Sequence, residues 1–180
     1  MAIKGVWAQV GGALLNALLS FFLLLVLARQ FSLASFADYS VLLNAGTIAL
    51  MIIEGGYPLL VYRETALTSA SLIPWRDQFL SLAVGSGLAA MLVMAALPIG
   101  PWLGQGYMAW WAVLACMGLL AWMNIYSGVL RGTGRFQTEA AWQVGGRLGS
   151  MGAILAALSL GASSGTEVFV AWSIGLLVLI

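Results

Sequence analysis

The sequence predicts an all-α fold, a polytopic membrane helical bundle, and three observations carry that prediction. The 180-residue chain is 62% hydrophobic and only 7% charged, with a mean hydropathy of +1.02. A soluble domain is roughly 45–50% apolar and about 25% charged. The apolar residues gather into runs near the ~20 residues that cross a hydrocarbon core as a helix. Those runs are continuous, whereas strands of an outer-membrane barrel alternate apolar and polar over about ten residues.

Five runs read as full transmembrane helices: Val6–Ala28, Tyr39–Tyr62, Phe79–Leu97, Met108–Leu130 and Ala140–Leu160. The first is longer than the apolar core of a cleavable signal peptide, so it reads as a membrane helix. Between the runs lie breaker-rich links such as "LPIGPWLGQGY", "RGTGRFQTE" and "GASSGTE". The glycines of "RGTGRF" suit a tight interhelical turn and lack the strand and spacing of a nucleotide loop. A sixth run starts at Val168 and ends at Ile180. Its thirteen residues reach only about 20 Å, which predicts a truncated sixth helix, with a re-entrant segment as the alternative. With a cytoplasmic N-terminus, Lys4, Arg63, Arg76, Arg131 and Arg135 all fall on the cytoplasmic side and only Arg29 opposite. Arg131 and Arg135 read as topology determinants at anionic headgroups. Trp75, Trp102, Tyr107, Trp110 and Trp111 sit near run ends, as an interfacial aromatic belt requires.

Composition also excludes several functions. The net charge of +1 leaves no basic patch for nucleic acid. One cysteine, Cys116, and no histidine leave nothing to build a disulfide, a metal site or a Ser-His or Cys-His nucleophile system. The chain is expected to be no enzyme and to need no cofactor.

Polar residues inside the runs fall in stripes at about 100° per residue. The second run carries Ser40, Asn44, Thr47, Met51 and Glu54 on one face, and the first carries Gln9, Asn16 and Ser20. The fifth carries Glu139, Gln143, Arg147 and Ser150, and the fourth adds Asn124 and Ser127. The third offers little beyond Ser81 and Ser86 and is expected to be peripheral. Opposite the stripe of the fifth run lie Gly145, Gly149, Gly152 and Ala156, a small-residue face for close helix packing. Each polar residue alone is ordinary interhelical glue; aligned stripes would line a shared hydrophilic interior.

Arg147 is the residue most in need of a reason. It lies about 11 Å into its helix, at a depth matched by Glu54, about 12 Å into the second run from the same end. A charge turned to lipid there costs about 2.5–3.5 kcal/mol. Three readings are open: a cavity role recognising an anionic group, which the planar guanidinium suits; a buried pair with Glu54; and snorkelling to the interface. "IIEGGYPLL" weakens the second run at Gly55, Gly56 and Pro58. A broken helix at membrane depth lines protein or a water cavity and marks transporter binding sites; an ordinary proline kink is the alternative.

"LARQFSLASFADYSVLLNAGTIALMIIEGGYPLLVYRE" resembles the helix 1–helix 2 region of polysaccharide transporters, the lipid-linked oligosaccharide flippases of the multidrug/oligosaccharidyl-lipid/polysaccharide exporter superfamily. The matching residues are Leu27-Ala28-Arg29, Phe36, Tyr39-Ser40, Glu54-Gly55 and Arg63-Glu64, with Glu54 where the family more often has aspartate. "VLRGTGRFQTEAAWQVGGRLGSMGAIL" is similar to that family's next link, in Arg135 and Arg147. The resemblance implies the first of two bundles around a central cavity, in the inner (cytoplasmic) membrane, exporting a lipid-linked glycan by alternating access. It implies that Arg147 contacts phosphate or pyrophosphate. Glu54 would be its partner, or a gate responsive to a coupling ion, H+ or Na+. Asn16, Asn44, Thr47, Asn124 and Gln143 would line the path, and membrane lipids are the other expected partner. A multidrug antiporter of the same superfamily, which would want a less cationic cavity, and a non-transporting assembly subunit are the rival readings.

Overall fold

A computed structural model describes residues 2–67, 73–97 and 99–178, with side chains at 7–67, 81–97, 99 and 101–178. The side chains of Lys4, Trp75 and Arg76 are not among those described. The described elements are all α-helical: α1 (Ala2–Gln30), α2 (Leu33–Glu54), α3 (Tyr57–Leu67), α4 (Ile73–Ala96), the single-turn α5 (Ile99–Trp102), α6 (Tyr107–Gly132), α7 (Phe136–Ser159) and α8 (Gly165–Leu177).

The second apolar run is two helices. Gly55 and Gly56 adopt φ of 52° and 80°, a left-handed conformation that a side chain disfavours. Gly55 closes α2 by donating its N–H to the Met51 carbonyl at 3.1 Å. Pro58 then occupies the first turn of α3, where a missing N–H costs nothing. The discontinuity anticipated at "EGGYP" is therefore a break with two special residues, and Glu54 is the last residue before it.

Among the described residues, three segments are long and apolar enough to cross a membrane: Trp7–Gln30, Leu33–Leu67 with the break inside it, and Tyr107–Gly132. α7, at 24 residues, has the length. Its Glu139, Gln143 and Arg147 lower its hydropathy. Among the described residues, Ser81–Ala96 and Gly165–Leu177 are shorter apolar helices.

α6 is the centre of the bundle. Val113, Cys116 and Met117 on it are fully or almost fully buried, and α2, α3, α4, α7 and α8 all pack against it. Two glycines one turn apart set the α3 contact: a Cβ at Gly128 would sit 2.6 Å from the Pro58 carbonyl oxygen, and one at Gly132 2.9 Å from that of Tyr62. Only hydrogen at both positions lets the backbones approach this closely. α4 keeps to α2, α3 and α6, an outer position like the one expected for the third run. α1 rests mainly on α7 and leaves Trp7, Leu14, Leu18 and Phe21 exposed. The small-residue face of α7 is used selectively, with Gly149 meeting Gly175 of α8 and Gly152 facing open space.

Trp110 corrects the aromatic-belt expectation. Its side chain is buried and its indole N–H donates to the Met94 carbonyl at 3.1 Å, so it joins α6 to α4 instead of anchoring in headgroups. Trp102, Tyr107 and Trp111 are exposed as expected.

α8 starts three residues ahead of the apolar run, because Ser164 and Glu167 form a capping box. Glu167 accepts from the Ser163 and Ser164 N–H groups at 2.7 and 3.0 Å, and these bonds hold its carboxyl below the ordinary carboxylate range. A carboxyl with its folded value depressed stabilises above its unfolded value, about 4.3 for glutamate, and that contribution is lost as pH falls through the folded value. Ser164→Ala is expected to cost about 1 kcal/mol. Acidification is expected to fray the same turn, which amide hydrogen exchange at residues 165–168 would read.

Candidate functional site

Three adjoining cavities, of about 410, 280 and 200 Å³, run along the seam of α1, α3, α6 and α7. Gln143 lines all three, so they form one groove. The largest lies between α1 and α7, the second beside the α2–α3 break, and the third between α1, α6, α7 and α8.

The groove is polar because each contributing helix turns its stripe toward it. α1 supplies Gln9, Asn16 and Ser20; α7 supplies Glu139, Gln143, Arg147 and Ser150; α6 supplies Asn124, Ser127 and Arg131. Five of the seven residues expected at a site are thus brought together: Asn16, Glu54, Asn124, Gln143 and Arg147. Asn44 and Thr47 are not. Both are exposed on α2 and donate back to their own helix, Asn44 to the Ser40 carbonyl at 2.9 Å and Thr47 to that of Leu43 at 2.8 Å. Short polar side chains satisfy themselves on the preceding turn, so a shared stripe with Glu54 does not place them in the groove.

Glu54 and Arg147 do not pair with each other. Glu54 accepts from the Asn124 amide at 2.5 Å, while Arg147 donates from Nη2 to the Ser20 hydroxyl at 2.6 Å. Their depths also differ. Glu54 shares its cavity with Asn124, Ser127 and Gly128, and Arg147 shares its own with Leu120, Met123 and Asn124, about one helical turn away along α6. Arg147 instead lies over the Trp172 ring, its guanidinium carbon 5.1 Å from the ring centroid. That ring ends an aromatic ladder running through Phe169 to Tyr39, with centroids 6.1 and 5.6 Å apart.

The ion pair of the groove is Arg131–Glu139, at 2.9 Å. Glu139 is only 4% exposed and also accepts from Ser127 at 2.7 Å and Gln9 at 3.3 Å, so one carboxylate joins α6, α7 and α1. Glu139 belongs to the polar stripe of the fifth run but not to the expected site, and Arg131, expected at the headgroups, bonds it at the groove. The signal was local. "RGTGRF" folds as a tight turn, with Gly134 at φ 73° and the Arg135 N–H on the Leu130 carbonyl. It sets the basic last turn of α6 beside the acidic first turn of α7, which also complements both helix dipoles.

Fold and groove define a class: a helical bundle with helices able to span a membrane, carrying a charged polar groove along its central helix. Comparison with protein-family models, curated proteins and solved structures returned no match in any of the three.

Proposed function

We propose that the chain is a multi-pass exporter of the cytoplasmic membrane that moves a lipid-linked oligosaccharide or polysaccharide precursor by alternating access. The observation that carries this reading is the groove itself, a charged and amide-rich surface on membrane-length helices, in which Arg131 is paired with Glu139 while the cavity around Arg147 is lined by no carboxylate. Such a surface gives an ionic, hydroxylated headgroup the hydrogen bonds it leaves behind in water, while lipid tails stay outside. The resemblance of the second and fifth runs to polysaccharide transporters points the same way. Arg63, Arg131 and Arg135 gather where α3 passes Gly132 of α6, which supports a cytoplasmic N-terminus. Glu54, beside a break in a membrane-length segment, is suited to answer a coupling H+ or Na+.

A second reading, an assembly subunit whose polar residues only join helices, is favoured by one observation. Gln9–Glu139 and Arg147–Ser20 are direct interhelical bonds. Two measurements separate them. In proteoliposomes flipping a polyprenyl-diphosphate sugar, Arg147→Gln is expected to slow the rate about tenfold, the loss of one charge-assisted contact, while off-groove Thr47→Ala leaves it unchanged. With Cys116 replaced by alanine, cysteines at positions 16, 54, 143 and 147 are expected to react with a water-soluble thiol reagent. Protection at all four, with an unchanged rate in Arg147→Gln, would leave the assembly reading standing.

A further inference from the structure

α2 has two faces. Tyr39, Leu42, Gly46, Ala49 and Ile53 are buried against the bundle, with Gly46 pressed to Val113 and Met117 of α6. Roughly opposite lie Ala37, Val41, Asn44, Ile48, Met51 and Gly55, all exposed. They recur at steps of four, three, four, three and four, the 3.5-residue period of a helix-pair seam. The seam runs about 27 Å, nearly the depth of a hydrocarbon core. It ends where the chain turns away at Gly55 and Gly56.

Such a face differs from one built for lipid. α1 turns Trp7, Leu14, Leu18, Phe21 and Leu25 outward, all of them bulky. The α2 seam has bulk only at Val41, Ile48 and Met51, with small residues at each end and an amide in the middle. Small and amide side chains mark helix contacts within a bilayer. Asn44 donates one N–H to the Ser40 carbonyl at 2.9 Å, and its second N–H and Oδ1 have no partner among the described residues. Unpaired amide groups are disfavoured in hydrocarbon, and the apolar residues above and below this one suit water poorly. A protein helix meets both needs.

We propose that this seam pairs with the same seam of a second copy of the chain, in a parallel two-helix contact centred on Asn44. Three features select a copy over an unrelated partner. Copies in one membrane share their orientation, so a twofold axis along the membrane normal sets Asn44 beside Asn44 of the partner subunit. The carboxamide is its own complement there, because each can donate its free N–H to the other's Oδ1. Val41 and Ile48 stand seven residues apart, and β-branched residues at that spacing favour two strands over more. The charged groups beside the seam, Asp38 and Glu54, are held within the chain, Asp38 by Gln105 and Glu54 by Asn124, so neither is turned against its twin. Asn44 lies outside the groove, so the pairing is independent of what the groove binds.

The test reads association, apart from transport. In proteoliposomes of the Cys116→Ala chain, single cysteines at positions 41, 44, 48 and 51 are expected to form disulfide dimers on mild oxidation, because twofold-related seam positions bring their Cα atoms within about 7 Å. Cysteines in place of Leu18 and Leu92, exposed on α1 and α4, are expected to stay monomeric at the same protein density. Resonance energy transfer between copies carrying donor and acceptor dyes, followed as lipid dilutes the protein, gives the dimer constant. Asn44→Val is expected to weaken it about tenfold, the loss of one reciprocal amide pair, and Asn44→Gln to keep most of it. Equal crosslinking at 18 and 92, or an unchanged dimer constant in Asn44→Val, overturns the pairing. A chain that stays monomeric at every density overturns it too. Seam cysteines open to a water-soluble thiol reagent would then give the face to an aqueous path, and cysteines closed to it would give the face to lipid. Crosslinks in cell membranes to a different polypeptide would give it to another protein.

Discussion

Gly175→Leu separates α7 from α8 and costs the bundle about 3 kcal/mol or more, the upper range for forcing side-chain atoms into a packed contact. A Cβ at Gly175 would sit 2.5 Å from the Gly149 carbonyl oxygen and 2.6 Å from the Ser150 Cα. Both neighbours are backbone, so no rotamer change relieves the clash and the helices must part. The damage would spread, because α8 buries Phe169, Trp172 and Leu176 against its neighbours and Trp172 carries the Arg147 stack. Gly152→Ala is the control. Its Cβ meets nothing within 4 Å, and alanine in a helix interior is favoured over glycine by up to about 1 kcal/mol. Denaturation in detergent should therefore show Gly175→Leu melting far below wild type and Gly152→Ala at or slightly above it. Equal behaviour of the two would mean that α7 and α8 do not touch at Gly149.

The same pair of glycines shows where sequence stops. Periodicity places Gly149 and Gly152 on one face of α7, and that face does take a close helix contact. It cannot say that α8 crosses at Gly149, because the crossing point depends on the partner's own small residue, Gly175. Local features were legible: the all-α class, the approximate place of each apolar helix though not its ends, the weak point at Gly55–Gly56 and the glycine turn before α7 each depend on residues near in sequence. The groove was legible to the extent that α1, α6 and α7 turn their stripes inward. Pairing was not. Glu54 and Arg147 match in estimated depth and opposite charge, but the uncharged Asn124 amide bonds one and the Ser20 hydroxyl the other. A helical wheel gives the direction of a side chain from its own axis and nothing about what stands opposite. Trp110 fails for the same reason: a position near a run end fits a headgroup, and only the approach of α4 buries it.

Removing Arg131 is expected to harm the protein more than neutralising its partner, although the two residues form one ion pair. Arg131→Met leaves the Glu139 carboxylate, 4% exposed, facing only the Ser127 hydroxyl and the Gln9 amide. An uncompensated buried charge of this kind costs about 3–5 kcal/mol, and the lower end applies because water reaches the 47%-exposed Arg131 side chain. Glu139→Gln removes the charge, keeps an oxygen for Ser127 and presents an amide NH2 to Gln9, whose side-chain oxygen can turn to accept it, and it lets Arg131 turn to solvent. Its cost is that of one weakened hydrogen-bond set, about 1 kcal/mol. The double variant should lie close to Glu139→Gln, since Arg131 has little left to bond once the carboxylate is gone. Unfolding measured for the two single variants and the double gives the coupling directly. Equal costs for the two single changes would mean that the carboxylate is already hydrated. The groove end joining α1, α6 and α7 would then be open to water.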